Sequence, residues 1–221
     1  DVSRSPGQLN WSSGGLTGVW AAENTREAIY DALRRKETFA TSGSRIRLRM
    51  FGGWNFGAAL LSQPGWVRRA YATGVPMGGD LPARPSAARA PWFIVQAMKD
   101  PDGANLDRIQ IVKVWLEGEE YREKLFNVAL PNGRAANPAT GKAPAIRNTV
   151  NLKTGAYRNS VGAAILTANW RDPEFDPAKP AVYYARALEI PTPRWSTLLA
   201  IKNGLALSPL VRKSSASSGR K

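Results

Sequence analysis

Hydrophobic positions repeat at two periods along this chain, and the change of period divides it. Ala28, Ile29, Ala32 and Leu33 fall on one face at helical spacing. Asn24 reads as the N-cap of that helix, and Glu27, three residues on, completes a capping box. Arg34, Arg35 and Lys36 collect where a helix C-terminus favours cations. The spacing therefore predicts a helix whose apolar stripe packs against a core. Ahead of it, residues 7–20 are rich in Gly and Ser and read as a loop running into a short strand, Leu16 to Ala21. Behind it, Thr38 to Thr41 reads as a strand and Ser42 to Ser44 as a turn. From Arg45 to Phe51 the pattern alternates strictly, with Ile46, Leu48 and Met50 on one face and Arg45, Arg47 and Arg49 on the other. That predicts a sheet with one wet, basic face.

Six further segments carry strand-like patterns bounded by Pro, Gly, Asp or Asn: Trp92 to Lys99, Ile109 to Leu116, Tyr121 to Leu130, Asn148 to Leu152, Val161 to Trp170 and Ala181 to Ile190. Trp195 to Leu207 has room for a short helix. The expected fold is mainly β: a leading strand-helix-strand, then a β-sandwich-like domain or open barrel. Residues 57–91 are dense in Gly, Pro, Ala and Arg without a period and read as a long loop. Residues 208–221 are low in complexity and read as disordered. No repeat of fixed period is present.

Composition sharpens the picture mainly by exclusion. The 221 residues include no His and no Cys, which removes Ser-His-Asp and Cys-His nucleophiles, zinc fingers and disulfide frameworks. No apolar run approaches the length of a membrane span, and residues 1–7 resemble neither a signal nor a transit peptide, so no compartment is indicated. The formal charge is +14, of which Lys202, Arg212, Lys213, Arg220 and Lys221 supply five with no acid after Glu189, leaving +9 for residues 1–201. A nucleic-acid surface would use Arg45, Arg47 and Arg49, with Arg68, Arg69, Arg84 and Arg89 in the loop. These arginines are scattered, however, and the eight tryptophans occur singly, which disfavours nucleic acid as a partner.

Three motifs invite chemistry. Asp100, Asp102, Asn105 and Asp107 place oxygen-bearing side chains at nearly alternate positions, as a calcium loop does. The distal Glu of such a loop is missing, though, and a strand-to-strand turn requires the same Asp, Pro and Gly residues. Thr140, Gly141 and Lys142 fall short of a phosphate loop, with Ala136 and Ala143 standing where Gly and Ser or Thr are needed. Glu117, Glu119 and Glu120 flank Gly118 and read as an exposed hairpin turn.

Residues 14–43, Arg47 to Trp54, Gly74 to Pro82, Asp107 to Lys113 and Val182 to Ser196 together resemble a large bacterial family of unknown function. Its amino-terminal part looks like a PHP-type (polymerase and histidinol phosphatase) metal hydrolase. The resemblance covers the chain up to about residue 200. It implies that residues 1–44 close an incomplete, barrel-like catalytic head and that residues 45–201 form a β-rich carboxy-terminal domain. It also implies that the head's divalent-metal ligands lie upstream, so that the chain itself holds no cofactor and has the missing head as its partner. Gly14, Gly15, Glu23, Asn24, Thr25, Arg26, Thr41 and Ser42 would then lie at the rim of the head's active site, with the helix N-terminus available to an anionic group. Residues 202–221 depart from the ordered, acidic end the family leads one to expect and read as a basic tail from a shifted frame or truncated product.

Overall fold

In the computed structural model, residues 14–57, 59–85 and 90–207 are described. The expectations for residues 7–13, Arg89 and the tail from residue 208 lie outside them. Among the described residues Leu16–Val19 (β1) and Thr38–Thr41 (β2) pair only with each other, antiparallel, with the helix Arg26–Arg34 (α1) between them in sequence. The helix cap is Thr25 rather than Asn24. Thr25 has an extended backbone, and its Oγ1 accepts from the Ala28 N–H at 3.3 Å. At the other end Lys36 takes a left-handed conformation, φ 59°. Its N–H donates to Leu33 O and that of Glu37 to Ala32 O, both at 3.0 Å, which closes the helix with a Lys where Gly is usual. The predicted stripe is only partly covered: Ala32 is buried, whereas Leu33 is 46% and the neighbouring Tyr30 60% exposed.

Two antiparallel sheets form the body. Arg47–Gly53 (β3), Val75–Pro76 (β4), Trp92–Met98 (β5) and Ile165–Arg171 (β8) make a four-stranded sheet in the order β4-β3-β5-β8. Leu106–Glu117 (β6), Glu120–Ala129 (β7) and Ala181–Glu189 (β9) make a three-stranded one in the order β7-β6-β9. The main core lies between them, with Met50, Phe93, Val95, Ala97, Leu166 and Ala168 facing Leu106, Ile109 and Ile111. This is the sandwich-like, mainly β arrangement that alternation predicts, and no closed barrel is formed among the described residues.

Three expectations change. The second face of β3 is wet only at its start, where Arg47 is exposed; further on Arg49 stacks on Trp20 at 3.6 Å and Phe51 is fully buried. Its cover comes from the segment that reads as a loop. Residues 57–91 contain a short 3-10 turn, Leu60–Ser62, and a helix, Trp66–Thr73 (α2), which with Phe56, Leu60 and Ala70 closes over Phe51 and Ile94. Finally, Asn148 to Leu152 is not a strand. Asn148 and Asn151 turn their side-chain oxygens onto the N–H groups of Val150 and Lys153, both at 2.9 Å, and so compete with sheet pairing. A last helix, Trp195–Lys202 (α3), follows β9.

Candidate functional site: an aromatic cleft beside a buried ion pair

β3 ends in Gly52, Gly53 and Trp54, and the chain returns through β4 into residues 77–85. Opposite them, residues 172–180 link β8 to β9. Between these two connections lies a cleft of about 590 Å³. Its floor is apolar, formed by Met50, Phe93 and the ring of Tyr183. Trp54 and Phe175 meet edge to face across it at 5.8 Å, and Asp80, Arg84, Asp176 and Lys179 stand at its margin. Gly52 keeps the floor open, since a Cβ there would lie 3.3 Å from the Phe93 ring.

The two walls are held differently. The 172–180 wall rests on a buried ion pair: Lys113 Nζ donates to Asp172 Oδ2 at 2.6 Å and to the Glu174 carbonyl at 2.7 Å. Tyr183 OH donates to the same Asp172 oxygen at 2.6 Å, and the Glu174 N–H donates to Asp172 Oδ1 at 2.8 Å. Asp172 is 2% exposed. Burial, and then the bond to Asp172, pushes the Tyr183 phenol well above its ordinary range. Lys179 adds an exposed ion pair with Glu117 at 3.3 Å. The 77–85 wall has lighter ties: Met77 N–H to Met50 O at 2.9 Å and Trp54 Nε1–H to Pro82 O at 3.0 Å. Gly78 has φ +84°, and a Cβ there would sit 2.2 Å from Lys36 O, so this wall lies hard against the end of α1.

The residues singled out in the sequence do not gather at this cleft. The rim set falls into two groups at opposite ends of the β1–β2 ribbon. Gly14, Gly15, Thr41 and Ser42 lie where Leu16 pairs with Thr41, and Glu23, Asn24, Thr25 and Arg26 lie beyond Val19, which pairs with Thr38. The calcium-like turn is also taken apart. Asp100 accepts from the Arg45 N–H at 2.7 Å and from its guanidinium, and Asp102 accepts from Arg45. Asn105 bonds Asn159, and Asp107 accepts from Arg134 at 2.6 Å. Arg45, first through its backbone N–H and then through its side chain, holds the Asp100 carboxyl down at about 2. The three carboxylates are already taken by arginines. Among the described residues no group of three His, Cys, Asp or Glu comes together. Nor is any described helix long and apolar enough to cross a membrane.

Trp54, Phe175 and Asp80 carry no spacing signal, because the cleft is assembled from segments far apart in sequence. Three segments that carry the family resemblance, residues 47–54, 74–82 and 182–196, do meet at or beside it. A family described as a protein of unknown function (DUF3604) matches residues 3–217. The chain belongs to the DUF3604 family. The match continues past residue 200 and takes in most of the tail that the sequence reading sets apart from the family. No curated protein and no solved structure matches this DUF3604 chain.

Proposed function

We propose that this chain is the non-catalytic carboxy-terminal portion of a PHP-like metal-dependent hydrolase of phosphoesters or related anionic esters. In this reading β1, α1 and β2 form the face that seats the catalytic head. The observation that carries the reading is the uncovered state of that face. Among the described residues the ribbon pairs with no other sheet, and Ile29, Tyr30 and Leu33 border a surface hollow of about 560 Å³ on α1. A two-stranded ribbon is marginal by itself, and an apolar helix face beside it gains from being covered. The β-rich body braces the head, and the metal chemistry belongs to the head.

The test compares residues 1–221 alone with a chain extended by the upstream coding sequence. Metal-dependent hydrolysis of p-nitrophenyl phosphate is expected only from the longer chain, and Leu33→Asp in that chain should reduce it. Turnover by residues 1–221 alone, abolished by chelator, overturns the proposal.

A second reading rests on the cleft: a binding module for a carbohydrate ring. An apolar floor with an aromatic edge and a charged margin suits a ring that has C–H faces and a hydroxyl rim. Binding to neutral oligosaccharides that is insensitive to salt and lost in Trp54→Ala would support it. Binding that falls steeply with salt would point to nucleic acid instead.

A further inference from the structure

The leading ribbon and the body adjoin along a slot of about 450 Å³, with residues 39–42 on one side and residues 185–189 of β9 on the other. Consecutive residues line it from both strands, so the edges of β2 and β9 face each other across it. Among the described residues neither edge is paired there. Glu189, the last residue of β9, is half-buried at this joint. Its carboxyl shares a hydrogen bond with the side chain of Ser44, in the turn after β2, while its Oε1 is buried with no partner. Glu189 is therefore a carboxyl of the body that reaches the ribbon side.

The charges around it leave it without a cation. Glu189 Oε1 and Asp100 Cγ lie 3.4 and 3.5 Å from one point, the place a Cβ on Gly103 would take, so two carboxyls border the space this glycine leaves open. Asp100 is held ionised by Arg45. Lys99 Nζ is committed to the carbonyls of Asp100, Pro101 and Gly103 at 2.8–3.0 Å. On β6, Asp107 is bound by Arg108 and Arg134. Arg186, three residues back on β9, points to the other face of the strand, and Arg194 lines the hollow on the α3 side. Burial first, and the Asp100 charge second, push the Glu189 carboxyl above its ordinary range, against the smaller pull of Ser44 and Lys99.

We infer that Glu189 is a pH-dependent latch between the ribbon and the body. With its proton on, the carboxyl is neutral beside Asp100 and the two strand edges stay together. Ionised, it is a second negative charge in a partly dry site, and widening the slot to admit water relieves both the desolvation and the repulsion. Such a carboxyl holds its proton more tightly in the folded chain. Its stabilising contribution is therefore complete below the unfolded value, about 4.3, and is lost as pH rises through the folded one. The inference does not depend on the hydrolase reading, and its experiment needs no turnover.

The experiment compares the full chain with Glu189→Gln, which keeps the side-chain shape and cannot ionise. At neutral pH the variant should melt higher than the parent, and the gap should close as pH falls toward about 4.3 and the parent regains its proton. Amide hydrogen exchange read by mass spectrometry locates the effect, and comparing the two chains at equal pH cancels the pH dependence of exchange itself. At neutral pH residues 38–44 should exchange several-fold faster in the parent than in the variant. In mild acid the two should match, with residues 92–98 of β5 alike throughout as the internal control. Ser44→Ala serves if the first variant folds poorly: it removes the hydrogen bond that favours the ionised carboxyl, so it should speed exchange of residues 38–44 at neutral pH more than in acid. A Glu189→Gln chain that melts with or below the parent at neutral pH overturns the inference. So does exchange of residues 38–44 that is the same in both chains at neutral pH, or a Ser44→Ala effect that is the same at both pH values.

Discussion

Lys113 sits mid-strand between Val112 and Val114, and in the sequence it reads as one more polar position on an alternating strand. Its role becomes visible only when Asp172, 59 residues on, arrives beneath it. Replacing Lys113 by Met leaves the Asp172 carboxylate buried without its cation. That should cost about 3–5 kcal/mol in urea unfolding, and much less when Asp172→Asn is added. Arg45 illustrates the opposite case, a side chain noticed for its charge whose use is local. It reads as part of a basic face, yet it is bound to Asp100 and Asp102. Because the Asp100 pKa is depressed in the folded chain, its contribution to stability is complete above the unfolded value, about 3.9. The contribution fades as pH falls toward about 2. Melting temperature should therefore decline between roughly pH 4 and pH 2, and Arg45→Ala should flatten that decline. The arginines were legible as charge. Their carboxylate partners were not, because each pairing spans a turn or a sheet.

At the scale of elements, α1 was legible from its period, and its boundary was off by one residue because Asn24 and Thr25 both suit an N-cap. The two are separable: Thr25→Ala should cost about 1 kcal/mol by thermal unfolding, whereas Asn24→Ala should change little. α2 escaped because its sequence carries no start signal. Gly65 precedes it with φ +69° and no side-chain cap, and Trp66, Val67 and Ala70 make too short an apolar stripe to stand out among glycines and prolines. Except for the two-residue β4, strands were recovered where β-branched and aromatic residues outnumber Asn. They were lost at 148–152, where Asn148 and Asn151 bond their own backbone. Gly78 is an element-scale constraint as well. Gly78→Ala would need a Cβ 2.2 Å from a carbonyl oxygen and a positive φ, so a loss of roughly 1–3 kcal/mol in denaturant unfolding is expected.

For the whole molecule, the predominance of β structure follows from the alternation, while the partition into sheets does not. β8 joins β5 and β9 joins β6 across long connections, and nothing local to either strand encodes that choice. The cleft inherits this opacity, since its two walls come from connections about a hundred residues apart. The uncovered α1 face makes a prediction at this scale. The isolated chain should self-associate with rising concentration in sedimentation experiments, and Leu33→Asp should suppress that association. A last consequence concerns one point where the leading strand-helix-strand meets the cleft. Lys36 ends α1, and its carbonyl abuts Gly78 in the lighter wall of the cleft. A body seated on α1 that shifts the helix by even an ångström pushes that wall, because backbone packed against backbone leaves no slack to absorb the movement. Were both the face and the cleft occupied, their occupancies would be thermodynamically linked, and such a linkage would run equally in both directions.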